Sequence, residues 1–297
     1  MRFAAIDLGT QTFRLALAEV GTSGLVEPLG TYLYNARLGN SLIDGHLGPE
    51  VIKALKEIRE RCESYQLDGI RACGTEAVRR LKDLYPSVFS KLVKTLGQDV
   101  RVLKPQEEGR LTATGVRASL GGSRHRILIL DVGGGSTEAI FCKDDETIVK
   151  SVPLGAVNFS RGGLSALSFL TTPPFSKAEE VVTTGGTATT LAAIIKGLQS
   201  YRPWEIRGLR IDRDEIENLL TRLSSMTLEE RRQVPGLEPE RADIIIPGLE
   251  ILLSALKYKG TSAITISDGG LLMGILVDLI KKELKDHAQL DWRRLYV

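Results

Sequence analysis

The sequence predicts an α/β protein with two similar domains, each a mixed sheet flanked by helices, and an interdomain cleft. Its 297 residues are about twice the length of a typical domain. Three strands in hairpin order, followed by alternating helices and strands, occur twice along the chain, a pattern typical of mixed sheets covered by helices. We therefore expect an N-terminal domain over 1–122 and a C-terminal domain over 123–297. The polar tail at 286–297 belongs to the second domain in this division, but it could instead pack on the first domain.

The first domain begins with a strand, a glycine turn and a second strand. An apolar run at 3–6 leads into Asp7-Leu8-Gly9-Thr10-Gln11-Thr12, and an alternating pattern follows at 13–20. The elements expected after this hairpin are a strand at 25–34, a loop at 35–42, a helix that Pro49 opens, a strand at 69–73, a helix at 76–81 with Thr75 as N-cap, a helix at 88–96, a strand at 100–103 and a helix at 106–120.

The second domain begins with the same arrangement around Asp131-Val132-Gly133-Gly134-Gly135-Ser136-Thr137-Glu138. An apolar run precedes this turn at 127–130, and another follows it at 139–142. The two turns share Asp, an aliphatic residue and Gly in the same places and lie about one domain length apart, so the chain repeats itself.

The triple-glycine turn predicts a phosphate site. Gly133, Gly134 and Gly135 carry no Cβ, so several backbone N–H groups can converge into an anion-binding nest. Ser136 and Thr137 add hydroxyl donors, whereas Asp131 and Glu138 suit a hard cation such as Mg²⁺. A tight hairpin that needs glycine is the plain alternative, but two such positions would suffice for it.

A third glycine turn precedes a helix later in the second domain. The remaining elements expected there are a strand at 147–152, a helix at 157–170 broken by two glycines, a strand at 181–184, helices at 188–198, 214–224 and 240–258, a strand at 263–266 and a helix at 271–284. Gly185-Gly186-Thr187 lies between the strand at 181–184 and its helix, a junction that presents a helix N-terminus to an anion. A tight turn with a cap is an equal alternative.

Composition excludes several classes of protein. Hydrophobic residues at 42% and charged residues at 26% are ordinary globular values, and no apolar stretch reaches the ~18 residues of a membrane span. The net charge of +2 does not indicate a nucleic-acid binder. The N-terminus shows no secretory pattern, so we expect a cytoplasmic protein without a membrane partner. We expect reduced thiols in the core at Cys62, Cys73 and Cys142. We expect solvated side chains at His46, His125 and His287.

Basic residues concentrate in the second half of the chain. They are Arg202, Arg207, Arg210, Arg213, Lys281, Lys282 and Lys285. Such clusters are usually solvated faces. A cationic track for a long polyanion is the less favoured alternative.

Separated motifs along the whole chain resemble one family. The strings are 6–15 with DLGTQT, Arg37-Leu38-Gly39, Gly74-Thr75-Glu76-Ala77-Val78-Arg79-Arg80, Glu107-Glu108-Gly109-Arg110-Leu111, 130–138 with DVGGGSTE, Pro153-Leu154-Gly155-Ala156-Val157, 185–191 with GGTATTL, 236–243 with GLEPERAD and 267–271 with SDGGL. Together they resemble the exopolyphosphatase and guanosine pentaphosphate phosphohydrolase family of the actin, Hsp70 and sugar-kinase superfamily. The resemblance implies two actin-like (ribonuclease H-like) domains.

The resemblance also implies a reaction. It is hydrolysis of the terminal phosphate of inorganic polyphosphate or, as the alternative, of the 5′ γ-phosphate of guanosine pentaphosphate (pppGpp), an effector of the stringent response. Mg²⁺ is the implied cofactor, with another divalent cation or an additional K⁺ as alternatives. A homodimer is an alternative to a monomer. By motif position Glu108 is the general base and Arg79 the catalytic arginine, which suits a reaction that needs a proton acceptor and positive charge. An actin-like sensor without turnover is the non-enzymatic alternative.

The remaining site residues are assigned from the glycine turns and the motifs. Phosphate binding is expected from Thr10, Gln11, Thr12, Arg14, Arg37, Gly133, Gly134, Gly135, Ser136, Thr137, Gly185, Gly186 and Thr187, and metal binding from Asp131, Glu138 and Asp7. Gln11 stands where the family usually has asparagine, and Gly109 replaces the commoner alanine. Glu107 and Arg80 are expected to be structural or solvated.

Overall fold

The computed structural model describes residues 1–121, 126–144 and 146–284. His125, His287, Lys285 and the predicted tail at 286–297 lie outside this range. The chain forms two compact units, one made of Met1–Ala118 with the segment that begins at Leu271, the other of Ser119–Gly270. The predicted helix at 271–284 therefore groups with the first unit and not, as predicted, with the second domain. Its apolar side packs on the first sheet, a long-range contact that leaves no local signal in the sequence.

The first unit contains a five-stranded mixed sheet. Its strands are β1 (Arg2–Leu8), β2 (Phe13–Val20), β3 (Val26–Tyr34), β4 (Gly69–Gly74) and β5 (Val100–Val102). Their order is β3-β2-β1-β4-β5. The first three strands pair antiparallel, whereas β4 and β5 run parallel to β1.

The second unit repeats this order with one added edge strand. Its strands are β6 (Arg126–Val132), β7 (Thr137–Lys143), β8 (Glu146–Val152), β9 (Glu180–Thr184), β10 (Arg210–Asp212) and β11 (Ala263–Ile266). The order β8-β7-β6-β9-β11 matches that of the first sheet, and β10 lies outside β11. The duplicated mixed sheet is thus confirmed. The strand β10 was not predicted because three residues carry too little alternation to be recognised.

Helices connect and cover the strands. They are α1 (Leu38–Asp44), α2 (Pro49–Glu63), α3 (Glu76–Leu84), α4 (Pro86–Leu96), α5 (Pro105–Leu120), α6 (Gly185–Lys196), α7 (Pro203–Ile206), α8 (Arg213–Ser224), α9 (Leu228–Arg231), α10 (Ile245–Lys259) and α11 (Leu271–Glu283). Short 3₁₀ helices occupy Arg161–Thr171, Phe175–Lys177 and Pro239–Arg241. None of the helices described is long and apolar enough to cross a membrane.

Alternating residues of β1 pack into two separate hydrophobic cores of the first unit. Ala4, Ile6 and Leu8 pack with the apolar sides of α2, α3 and α4. Phe3 and Ala5 point to the opposite face and pack with α11. This alternation follows from the two-residue period of a strand, and it places helices on both faces of the first sheet.

Two local predictions are wrong. The expected loop at 35–42 contains α1, because burial of Leu38 outweighs the poor helix propensity of Gly39 and Asn40. The helix expected at 157–170, with a break at its two glycines, is a 3₁₀ helix that starts only at Arg161 and continues through both glycines. Gly162 and Gly163 lie in its first turn, where their backbone freedom disfavours regular α-helix.

Candidate functional site

The turn between β1 and β2 holds an ion pair. Asp7 and Arg14 are register partners, and Arg14 donates to Asp7 Oδ2 from Nη2 at 2.6 Å and from Nε at 3.1 Å. Asp7 is only 2% exposed, and its Oδ1 has no hydrogen-bond partner among the residues that the structure describes. A buried carboxylate oxygen without a partner is costly, so this atom is suited to a cation or a donor from a ligand.

The same turn is fastened to the segment that begins α1. The Arg37 amide donates to the Gln11 carbonyl at 2.8 Å, and the Gly39 amide donates to the Thr10 carbonyl at 3.0 Å. Arg37 itself has φ 50°, in the left-handed region. The side-chain amide nitrogen of Gln11 is buried, with no hydrogen-bond partner in the described part of the chain. The turn is therefore held by two backbone hydrogen bonds, and it contains a donor of the kind that phosphate oxygens accept.

Glu108 and Arg79 meet in the first unit. Glu108 lies in the first turn of α5, and Arg79 lies on α3. The Arg79 guanidinium donates to Glu108 Oε2 at 2.8 Å and to the Leu103 carbonyl at 2.6 Å. Glu108 is buried at 7% exposure, yet its neighbour Glu107 pairs with Arg101 near the surface. The motif pair assigned from sequence is thus one ion pair.

Strand ends explain why these residues assemble. The Thr75 amide donates to the Leu8 carbonyl at the end of β1, and the Leu103 amide donates to the Gly74 carbonyl at the end of β4. Because β1, β4 and β5 are parallel, their carboxyl ends share one edge of the sheet. Ligand sites of α/β folds typically lie at this edge.

The triple-glycine turn joins β6 to β7 in the second unit. The Gly133 amide donates to the Ser136 carbonyl at 3.0 Å and closes the turn. The Thr137 hydroxyl is 1% exposed and donates to the Leu154 carbonyl at 2.6 Å, so it stabilises the fold. Backbone amides of the turn are thus better placed than Thr137 to contact an anion.

Asp131 and Glu138 occupy one register row. They are partners across β6 and β7, and Ser151 is the next partner on β8. The Ser151 hydroxyl donates to Glu138 Oε1 at 2.7 Å. No group of three His, Cys, Asp or Glu suited to a metal occurs in residues 1–121, 126–144 and 146–284. A divalent cation here would thus need ligands from water or substrate.

Gly185-Gly186-Thr187 forms the first turn of α6 instead of a loop before it. A Cβ at Gly185, which has φ +82°, would overlap the Asp131 carboxylate, and one at Gly186 would overlap the Arg241 guanidinium. The Thr187 hydroxyl donates to the Val132 carbonyl at 3.1 Å. The two glycines thus leave room for charged side chains at the start of α6, and the positive φ of Gly185 itself favours glycine.

Several of the clustered basic residues form ion pairs. Arg207 is bidentate to Asp268 at 2.9 Å, and Asp268 also accepts from the Ser119 hydroxyl at 2.6 Å. Arg202, Arg213 and Lys282 pair with Glu205, Glu217 and Asp278. Local neutralisation favours a structural role for this cluster over a cationic track.

Two residues near the glycine turns were not predicted as site residues. Arg241 covers Gly186, and Asn158 hydrogen-bonds the triple-glycine turn. Both belong to or adjoin motifs that were recognised, GLEPERAD and PLGAV. Only folding reveals which turn each contacts.

Comparison with known proteins gives a consistent picture. The model of the Ppx/GppA phosphatase family matches residues 33–283. Exopolyphosphatase 2 of Mycobacterium tuberculosis is 26% identical over 94% of this chain and 98% of its own length. Exopolyphosphatase 1 of Mycobacterium bovis is 25% identical over 98% of this chain and 92% of its own.

Solved structures agree with the observed fold. The Ppx/GppA family member of Aquifex aeolicus is 28% identical, covers 97% of this chain and 99% of its own, and has a TM-score of 0.76. An exopolyphosphatase of Cytophaga hutchinsonii at 22% identity covers 98% and 99% with a TM-score of 0.80, which supports the fold alone.

Proposed function

We propose that this protein is an exopolyphosphatase that releases the terminal phosphate of inorganic polyphosphate. The proposal proceeds from its family: the chain belongs to the Ppx/GppA phosphatase family and is thus a hydrolase of phosphoric anhydrides. The observation that carries the proposal is the ion pair of the buried Glu108 with the partly buried Arg79 at the carboxyl edge of the first sheet. The two curated relatives described above are both named as exopolyphosphatases, which favours polyphosphate over pppGpp.

In the proposed reaction Glu108 accepts a proton from water as the water oxygen attacks the terminal phosphorus in line. The bond from this phosphorus to the bridging oxygen breaks, and the shortened chain leaves with that oxygen and its electron pair. Arg79 orients the Glu108 carboxylate and adds positive charge beside it. The amides of the triple-glycine turn bind phosphate oxygens, where preorganised donors stabilise developing charge.

The residues present fit a Mg²⁺ ion. In the second unit, Asp131 and Glu138 supply carboxylates in one register row. In the first unit, Asp7 is a separate candidate ligand, with a buried oxygen that has no hydrogen-bond partner among the described residues. Mg²⁺ usually binds one or two protein carboxylates and keeps water or phosphate as its other ligands. When bound, the ion would neutralise charge on phosphate oxygens. Other divalent ions and K⁺ can be tested in the same assay.

The proposed base is tested by Glu108→Gln, which keeps the shape but cannot accept a proton. We expect phosphate release from polyphosphate to fall by at least about 10³-fold, within the range of general base catalysis. Glu107→Gln, which alters the surface pair with Arg101, is the matched control and should retain activity. Release near the native rate by purified Glu108→Gln would exclude this base.

The substrate is tested by offering polyphosphate, pppGpp and ATP to the same purified protein, with Mg²⁺ or with EDTA. We expect polyphosphate to be hydrolysed most efficiently and EDTA to stop the reaction. Preference for pppGpp would replace the proposed substrate by the alternative. Binding without turnover of any compound would favour the sensor.

A further inference from the structure

The triple-glycine turn is held from one side by a single segment. The Ala156 amide donates to the Gly133 carbonyl at 2.9 Å, and the Val157 amide donates to the Gly134 carbonyl at 2.8 Å. The Asn158 side-chain nitrogen donates to the Gly135 carbonyl at 2.9 Å. Three successive carbonyls of the turn are therefore all bound by residues 156–158, which we call the bracing segment.

Asn158 also fixes the bracing segment itself. Its side-chain oxygen accepts from the Gly155 amide at 2.7 Å, so one carboxamide joins both segments. Gly155 lies so close to the turn that a Cβ there would overlap the Gly134 carbonyl. The side chain and the glycine thus give the two segments a defined separation.

Orientation of the carbonyls decides orientation of the amides. The peptide bonds of the turn are trans, since the cis bond recorded in the described chain is Pro173-Pro174. In a trans peptide the C=O and the following N–H point in opposite directions. When the bracing segment holds the carbonyls of residues 133, 134 and 135, the amides of Gly134, Gly135 and Ser136 are directed away from it. Successive amides with this orientation form an anion-binding nest.

We propose that Asn158 is a positioning residue that preorganises the anion nest of the triple-glycine turn, by holding the Gly135 carbonyl and the Gly155 amide at once. This role deepens the proposed function, because the anion is a phosphate of the polyphosphate substrate. Asn158 acts through the turn. Its loss should weaken phosphate binding and should leave the proton transfer at Glu108 intact.

The test measures tripolyphosphate binding by calorimetry in the Glu108→Gln background, so that the ligand is not consumed. Addition of Asn158→Ala should raise the Kd about three- to tenfold, as expected for the loss of one to two hydrogen bonds of ordinary strength. Asn218→Ala, at an exposed asparagine of α8, is the matched control and should leave the Kd unchanged. Gly155→Ala should weaken binding at least as much as Asn158→Ala.

A second readout separates positioning from general stability. In the otherwise native chain, Asn158→Ala should raise the KM for polyphosphate several-fold with a smaller change in kcat and an unchanged pH profile. Since Asn158 is exposed, the midpoint of thermal unfolding of the Asn158→Ala variant should stay within a few degrees of the native value. An unchanged Kd in Asn158→Ala, or a loss of kcat with KM unaltered, would overturn the role.

Failure of the proposed function gives a different result. Turnover by Glu108→Gln would exclude the base, and the KM comparison in the otherwise native chain would then test Asn158. If the Glu108→Gln chain does not bind tripolyphosphate at all, both the anion nest and the role of Asn158 are rejected.

Discussion

At the residue scale, one arginine connects two motifs that are separated in the sequence. Arg79 reaches both the Glu108 carboxylate and the Leu103 carbonyl, whereas the adjacent Arg80 is half exposed and pairs with Glu76 on its own helix. In the sequence, motif position alone selects Arg79 over Arg80. The opposite exposure of the two side chains now gives that choice a physical reason.

A conservative substitution tests the two hydrogen bonds that Arg79 donates to Glu108 and Leu103. Arg79→Lys retains the charge, but both hydrogen bonds leave the Nη1 atom at the end of the planar guanidinium, and the ammonium of the differently shaped lysine side chain does not occupy that position. We expect kcat to fall about 100-fold with native circular dichroism. The control is Arg80→Lys, which should retain activity because its pair is exposed. Equal activity of both variants would show that the guanidinium geometry does not matter.

Two cysteines give a pH-dependent prediction. Burial raises the pKa of Cys73 from 9.0 to about 12, with a smaller contribution from the Asp7 charge, and burial raises that of Cys62 to about 11. Because the folded pKa values exceed the unfolded one, their contribution to stability is fully present below pH 9 and is lost as the pH rises towards 11–12.

Thiol labelling checks the burial and the raised pKa values of the two cysteines on which this prediction depends. At pH 8 iodoacetamide should leave Cys62 and Cys73 nearly unmodified in the native protein, because the thiolate is the reactive form. The urea-unfolded chain, analysed by peptide mass spectrometry, should be labelled at both positions. Rapid native labelling of either residue would contradict its burial.

At the scale of elements, α5 and α11 approach unusually closely within the first unit. A Cβ at Gly274 of α11 would overlap the Leu111 carbonyl oxygen of α5. Since α5 carries Glu108 in its first turn, this contact supports the helix that presents the proposed base. Glycine at this position is explained by the close approach of backbone and not by a turn.

Gly274→Ala should therefore destabilise the protein by about 2 kcal/mol, as overpacking at a rigid contact usually does. Urea denaturation measures the free energy of unfolding. Gly21→Ala is the control, because its Cβ would meet no atom closer than 3.8 Å. If Gly274→Ala lowers the free energy of unfolding no more than the control does, α5 and α11 can move apart without strain.

At the scale of the whole molecule, the first unit is discontinuous in sequence. The chain leaves it after Ala118, forms the second unit, and returns with α11. Leu272, Ile275 and Leu279 of α11 pack against Phe3 and Ala5 of β1, and Arg71 of β4 pairs with Asp278. The core of the first unit is incomplete without a helix that follows the second.

A buried charge in α11 tests this dependence. Ile275 is fully buried, so Ile275→Asp should cost about 3–5 kcal/mol, a large part of the stability of an ordinary domain. Loss of the first unit should appear as a lower urea midpoint. The exposed Lys281→Gln on the same helix should leave the midpoint unchanged. An unaltered midpoint in Ile275→Asp would exclude a core role for α11.

The sequence alone determined the duplicated fold class, most strands, the triple-glycine turn and the selection of Glu108 and Arg79. These features depend on local information, namely hydrophobic periodicity, glycine runs and ordered motifs. The helix α1, the strand β10 and the grouping of α11 required the tertiary structure, since each depends on burial against residues far along the chain.

The site divides in the same way. Sequence predicted a phosphate nest at the glycine turn, but it did not predict Asn158, because hydrogen bonds between residues 135 and 158 have no local pattern. Nor did it show that the Thr137 and Thr187 hydroxyls donate to backbone carbonyls inside the fold. Residue types and their order determined the chemistry available to this protein. Packing alone decided which of those groups stabilise the fold, because the same donor can bond either to the fold or to a ligand.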